Sequence, residues 1–157
     1  MIRASIPTQV SELRLHYRSR TAASERPVCI TSEHAHQLLR DWWDADSMEL
    51  FEEFTVLLLD RASRALGIFR ASQGGTVGTI VDPKLVFGAA IKGRADSIVI
   101  AHNHPSGTPY PSQADISITT KLVQAGKLLD IPVQDHLILL PEGGYYSFAD
   151  DGMIQQA

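Results

Sequence analysis

An α/β domain built on a mixed sheet is predicted by three features of the chain. Apolar runs of strand length recur (VLLL, IVIA, LILL), stretches with helical spacing separate them, and the order reads helix, strands, helix, strand, helix, strands. With 157 residues, one domain with a short appendage is expected, long enough to bury a real core.

Residues 1–27 form an N-terminal arm, and 28–157 form the domain. The arm is rich in Ser, Thr and Arg and lacks helical or strand periodicity. Arg14, His16, Arg18 and Arg20 give it a short basic cluster, read as a solvated arm or edge strand, with a nucleic-acid or acidic-partner contact as the functional alternative. From Thr31 the pattern turns helical. Thr31 or Ser32 is the N-cap, and Ala35, Leu38, Leu39, Trp42 and Trp43 repeat at i, i+3, i+4, i+7, i+8, which predicts a helix burying both tryptophans. His34 and His36 lie about 200° apart around that helix and are read as surface or core-edge residues.

EEFTVLLLD (52–60) and RALGIFRA predict two strands of a hairpin joined at RAS, and TVGTIV a further extended piece. Asp82 as N-cap and Pro83 at the first helical position open the helix that runs on through KLVFGAAIK. DSIVIAH (96–102) is continuous in apolar residues, as suits a strand covered on both faces. The helix of 112–130 should bury Ile118, Leu122, Ala125 and Leu129, and VQDHLILL (133–140), a turn at PEGG and YYSF close the chain as a hairpin. His136 interrupts an apolar strand and is read as a structural histidine hydrogen-bonded within the fold.

An apolar fraction of 44% and a charged fraction of 20% are ordinary for a soluble globular protein. A net charge of −4 argues against a protein whose main task is gripping phosphate backbones. Cys29 is the only cysteine, so no intramolecular disulfide forms; it is read as a small buried apolar residue in a reducing compartment. The N-terminus has no signal-peptide apolar region, and no apolar run approaches membrane-spanning length. A cytoplasmic location follows as the expectation.

The chemistry concentrates in AHNHPSGTPYPSQAD, residues 101–115. Residues two apart in an extended chain project to one side, so His102 and His104 aim at one point past the end of the 96–102 strand. That is where open α/β sheets usually bind ligands. The Pro-rich loop brings the next helix back over that point, with Asp115 in its first turn, where the helix dipole keeps a carboxylate ionised. Two imidazoles and a carboxylate are the ligand set of a catalytic zinc with a fourth position open to water, whose pKa zinc lowers to about 7. Ser112-Gln-Ala-Asp115 also reads as a capping box with Asp in place of Glu, and H-x-H alone is a weak signal. The conjunction of all these features favours a metal site.

HNHPSG…PSQAD resembles the JAMM motif of the JAB/MPN metallopeptidases, in the form of their RadC-like branch. DSIVIA before it and VQDHLILLPEGGYYSFADDG after it look RadC-like too, so the resemblance spans roughly residues 48 to 154. The helix-hairpin-helix region of longer RadC proteins is not recognised ahead of it. The resemblance implies a JAB/MPN-like α/β fold, a mixed β-sheet packed between helices, with Zn²⁺ on His102, His104 and Asp115. It implies that Ser112 helps stabilise a tetrahedral intermediate and that a glutamate at the start of an early strand is the general base. The RadC-like pattern of Glu, any residue, aromatic, apolar strand selects Glu52; strand alternation sends Glu53, the fallback, to the opposite face.

The expected activity is therefore zinc-dependent hydrolysis of a peptide or isopeptide amide, with a protein or peptide as substrate. A zinc nucleobase deaminase would need cysteine ligands that Cys29 alone cannot supply, and both G-x-S-x-G and H-E-x-x-H are absent. The alternative is a DNA-repair-associated or nucleic-acid-associated module without peptidase activity, a reading that rests on the RadC name.

Overall fold

The structure, a computed structural model, describes residues 14–74 and 80–154. Its centre is one five-stranded sheet in the order β2-β1-β3-β4-β5. β1 (Glu53–Leu59) and β2 (Ala65–Gln73) form the expected antiparallel hairpin. β3 (Ser97–Asn103) lies antiparallel to β1, β4 (Val133–Leu139) runs parallel to β3, and β5 (Tyr145–Ser147) closes a hairpin on β4. The one parallel pair requires a crossover, supplied by helix α3 (Gln113–Leu128). The sheet is therefore mixed, as predicted.

Helices cover both faces. On one, Val86, Phe87 and Ala90 of α2 (Pro83–Lys92) and Leu122 of α3 meet Val56, Leu58, Ile98 and Ile100. On the other, Ala35 and Leu39 of α1 (Ser32–Trp42), with Trp43 just beyond it, cover Leu57, Leu59, Val99 and Leu137. Every residue of β3 is buried, which explains its unbroken apolar run. Cys29 is buried as expected, and burial, then the charge of Asp135, pushes its thiol up to about 11. No described helix is long and apolar enough to cross a membrane.

Thr31 caps α1, its side chain accepting from the His34 amide, and Asp82 caps α2 likewise at Lys84. Two expectations need correction. Only Trp43 is buried; Trp42 is 39% exposed, with the Arg70 guanidinium 5.2 Å from its ring centroid. Trp43 has left the helix with extended geometry, so its ring turns to the sheet by backbone direction and not by helical period. The inward line of α3 is Asp115, Thr119, Leu122 and Gly126; Ile118 and Ala125 flank the core and Leu129 is exposed. The extended piece at TVGTIV lies mostly outside the described residues, and Ile80 and Val81 belong to no strand.

α3 ends in a Schellman arrangement, with Asp130 at φ 55° and the Ile131 amide donating 2.9 Å to the Gly126 carbonyl. That turn brings backbone against Gly126, where an added Cβ would stand 2.5 Å from the Ile131 oxygen. Gly126→Ala gains about 1 kcal/mol of helix propensity. The overpacking, against an oxygen that cannot swing aside, costs roughly 1–3 kcal/mol. Net destabilisation is expected, read as a lower urea midpoint with an unchanged m-value.

Candidate metal centre

The antiparallel pairing of β1 with β3 sets the start of one beside the end of the other, Phe54 opposite His102. His102 and Phe54 share the face covered by α2 and α3, and Phe54 stacks on the His102 ring with an interplanar angle of 9°. Past the end of β3, His104 to Gly107 make a turn closed by the Gly107 amide on the His104 carbonyl at 2.9 Å. Pro105 supplies the fixed φ inside this turn, and Gly107 takes a φ of 74° that a side chain would resist.

The three expected ligands converge. His102 Nε2 lies 3.0 Å from His104 Nε2 and 3.2 Å from Asp115 Oδ1, and His104 Nε2 lies 3.5 Å from Asp115 Oδ2. One ligand atom from each residue falls within 4.8 Å of the others. The His104 Nδ1–H donates to the Thr108 carbonyl at 2.8 Å, which leaves the neutral ring's Nε2 without a hydrogen and facing the cluster. His102 Nδ1 is engaged 2.8 Å away by His136 Nε2, so His102 also presents Nε2. Two nitrogen lone pairs and a carboxylate aimed at one point call for a positive charge between them, and a divalent ion bound by N and O donors fits that demand.

A proton is the competing cation. Burial opposes charge on His104, but Asp115 and the Thr108 carbonyl, helped by Glu52, raise its pKa. Burial likewise works against the Asp115 carboxylate, yet the nearby His102 and His104 rings, and hydrogen bonding from Ser112, hold it well below the usual carboxylate range.

The centre opens into a cleft of about 1280 Å³, and Glu52 lines it together with His102, His104, Ser112 and Asp115. Glu53 is turned away, 1% exposed, with its Oε2 3.4 Å from Arg70 on the other side of β1. Alternation along the strand thus places Glu52 and not Glu53 beside the cluster.

A family model described as RadC-like JAB domain matches residues 29–153. The chain belongs to that family. The resemblance carried by HNHPSG…PSQAD is thereby borne out. A UPF0758 protein of Flavobacterium johnsoniae is 46% identical over 102 residues, covering 65% of this chain and 44% of the relative. A UPF0758 protein of Porphyromonas gingivalis is 41% identical, with 66% and 45% covered, and one of Geotalea uraniireducens is 42% identical, with 78% and 50% covered. The chain spans about half the length of these curated relatives, whose names state no activity.

In this RadC-like JAB domain Ser112 is exposed and is the N-cap of α3. Its hydroxyl donates 2.7 Å to Asp115 Oδ2 and accepts from the Asp115 amide, while its own amide donates 2.6 Å to the same carboxylate oxygen. The capping-box reading of S-x-x-D is therefore realised together with the ligand geometry, since Oδ2 serves the cap while Oδ1 faces His102.

Two further residues of the RadC-like site carry little sequence signal. Asn103, fully buried between the two histidines, points to the opposite side of β3. Its Oδ1 accepts from the Glu53 amide at 2.7 Å, and its Nδ2 donates to the Met48 and Phe51 carbonyls at 2.8 and 2.7 Å. One carboxamide thus ties the segment delivering Glu52 to the strand delivering the imidazoles. Asn103→Ala leaves one buried donor and two acceptors unpaired, about 1–3 kcal/mol each before water enters. The expected result is a loss of several kcal/mol by denaturant titration and faster hydrogen exchange at the Glu53 amide. The second residue is His136, fully buried and stacked 4.6 Å from Phe148, which reaches His102 on one side and Thr119 Oγ1, at 2.6 Å, on the other. The sequence marks it as an imidazole inside an apolar strand, and its reading as a structural histidine hydrogen-bonded within the fold holds.

Proposed function

We propose that the domain is a zinc-dependent hydrolase of peptide or isopeptide amide bonds. The observation that carries this reading is the convergence of His102 Nε2, His104 Nε2 and Asp115 beside Glu52 in an open cleft. Those three residues would hold the ion, leaving coordination room open. When bound, zinc supplies Lewis-acid polarisation of the scissile carbonyl and makes water acidic enough to attack near neutral pH. Glu52, half-buried at the mouth of β1, takes the proton of the attacking water and returns it to the departing amine nitrogen. Ser112, at the start of α3, donates to the oxygen that gains charge, turning its hydroxyl from Asp115 to do so. His104, held at Nδ1 by Thr108, and Asp115, held at Oδ2 by its own helix cap, keep their places through the step.

The cleft wall supports a peptide over a polyanion. Leu50, Ile80, Tyr110 and Ile118 line it together with Glu49 and Glu52, and among the described residues no lysine or arginine does. A nucleic-acid backbone would meet carboxylates there, with no lysine or arginine among the described residues to neutralise its phosphates.

Metal analysis of the purified protein, followed by a peptide-library cleavage screen against Glu52→Ala, tests the proposal. Stoichiometric zinc with cleavage that the variant loses is expected. Protein that takes up no zinc, or cleavage unchanged in Glu52→Ala, overturns it. Salt-sensitive DNA binding by zinc-loaded protein that cleaves no peptide would favour the nucleic-acid module instead.

A further inference from the structure

We propose that Thr119 and His136 form a buried proton-ordering chain that fixes which nitrogen of His102 is free to bind the metal. This rests on the metal reading of the centre and adds positioning residues to it. The chain runs from the Asp115 carbonyl to Thr119 Oγ1 at 2.5 Å, from Thr119 Oγ1 to His136 Nδ1 at 2.6 Å, and from His136 Nε2 to His102 Nδ1 at 2.8 Å. All the side chains in it are at most 4% exposed.

Hydrogen-bond direction along this chain is determined at both ends. A backbone carbonyl can only accept, so the single hydroxyl hydrogen of Thr119 goes to the Asp115 oxygen. Thr119 then has only lone pairs left for His136, whose Nδ1 must carry a hydrogen and donate. The His136 ring contacts Phe148, Phe54 and His102, with no carboxylate on either nitrogen; a buried ring so placed carries one hydrogen. Its Nε2 is therefore bare and accepts from His102 Nδ1–H. His102 is left with a bare Nε2, the atom 3.2 Å from Asp115 Oδ1. Starting from the other end, a metal on Nε2 requires the hydrogen on Nδ1, and each later bond takes the same direction.

The arrangement closes a loop between two of the three ligands, because it starts on the Asp115 backbone and ends on the His102 ring. One side chain, Thr119, stands one turn into α3 from Asp115 and holds the loop together. An imidazole otherwise free to place its hydrogen on either nitrogen is locked in the ligating tautomer. Partners hydrogen-bonded to a ligating imidazole, as His136 is to His102, change affinity by about 10–100-fold when lost, and Thr119 acts through His136.

The test uses Thr119→Val, which keeps the shape and removes the hydroxyl, and Thr119→Ser, which keeps the hydroxyl. Two-bond ¹⁵N–¹H correlation spectra of the metal-free, ¹⁵N-labelled protein read the tautomers. Competition with a chromophoric chelator reads zinc affinity. Wild type is expected to show hydrogen on Nδ1 in both His102 and His136. Thr119→Val should show mixed His102 tautomers and bind zinc about 10–100-fold more weakly, and Thr119→Ser should stay within about threefold of wild type. A His102 hydrogen on Nε2 in metal-free wild type overturns the chain, as does a folded Thr119→Val with wild-type tautomers and zinc affinity. The spectra need no zinc, so they judge the chain separately from the hydrolase reading, which fails on its own if wild type takes up no zinc.

Discussion

Glu52→Gln should lower peptide hydrolysis by roughly 100- to 10,000-fold while zinc content and unfolding midpoint stay at wild-type values. Glutamine keeps the size and hydrogen-bonding reach of glutamate but cannot accept a proton. The Glu52 side chain is half-buried and lines the cleft, whereas Glu53 is buried on the far side of the strand. The same substitution at Glu53 should leave the chemical step nearly intact and act instead on stability, through the lost charge opposite Arg70. A steady-state comparison of both variants on one cleaved peptide, with metal content measured in parallel, separates them. Equal loss of turnover in both would mean that strand alternation does not assign the base.

His104→Ala should weaken zinc binding roughly a hundredfold. Protein zinc sites hold their ion with about 10–16 kcal/mol shared among roughly four ligands, so one ligand accounts for about 3 kcal/mol, or roughly two orders of magnitude in affinity. His104 sits at the cleft edge and its removal leaves the core untouched, so the circular dichroism of the variant should match wild type. The wild-type affinity should also depend on acidity in a stated direction. With its pKa raised, His104 keeps its proton up to a higher pH than a free imidazole, and that proton occupies the nitrogen the ion needs. Zinc binding should therefore be steady at alkaline pH and weaken as pH falls through the His104 pKa, with proton release on binding. Calorimetry in buffers of different ionisation enthalpy reads that release; affinity that rises on acidification would contradict the assignment.

Most of the fold could be read from the chain because its strands are continuous apolar runs and its helices carry their own start signals, as at Asp82-Pro83. The errors fall where local periodicity stops governing direction. Trp43 turns inward after the helix has ended, and the inward line of α3 includes Thr119 and Gly126, which no apolar count would choose. The convergence of His102, His104 and Asp115 was legible because two of them share a strand-period spacing and the third opens a helix. Glu52 was legible only through the RadC-like pattern of Glu, any residue, aromatic and apolar strand, since by itself a carboxylate at a strand mouth looks like any solvated acid. The partners of Asn103 and His136 lie 50 and 34 residues away for the Glu53 amide and the His102 ring, and sequence spacing carries no record of such contacts.

β3 is hydrogen-bonded on both edges, to β1 and to β4, and three successive residues at its end face alternately to front, back and front. Adding or deleting a single residue within Ser97–Asn103 would exchange those faces, sending both imidazoles into the layer beneath α1 and thrusting the carboxamide into the cleft. The paired imidazoles and the tether of the opposing glutamate would be lost in one event. Changes of length among diverging copies of this domain should thus be excluded from this strand and gather in surface connections such as the 141–144 turn.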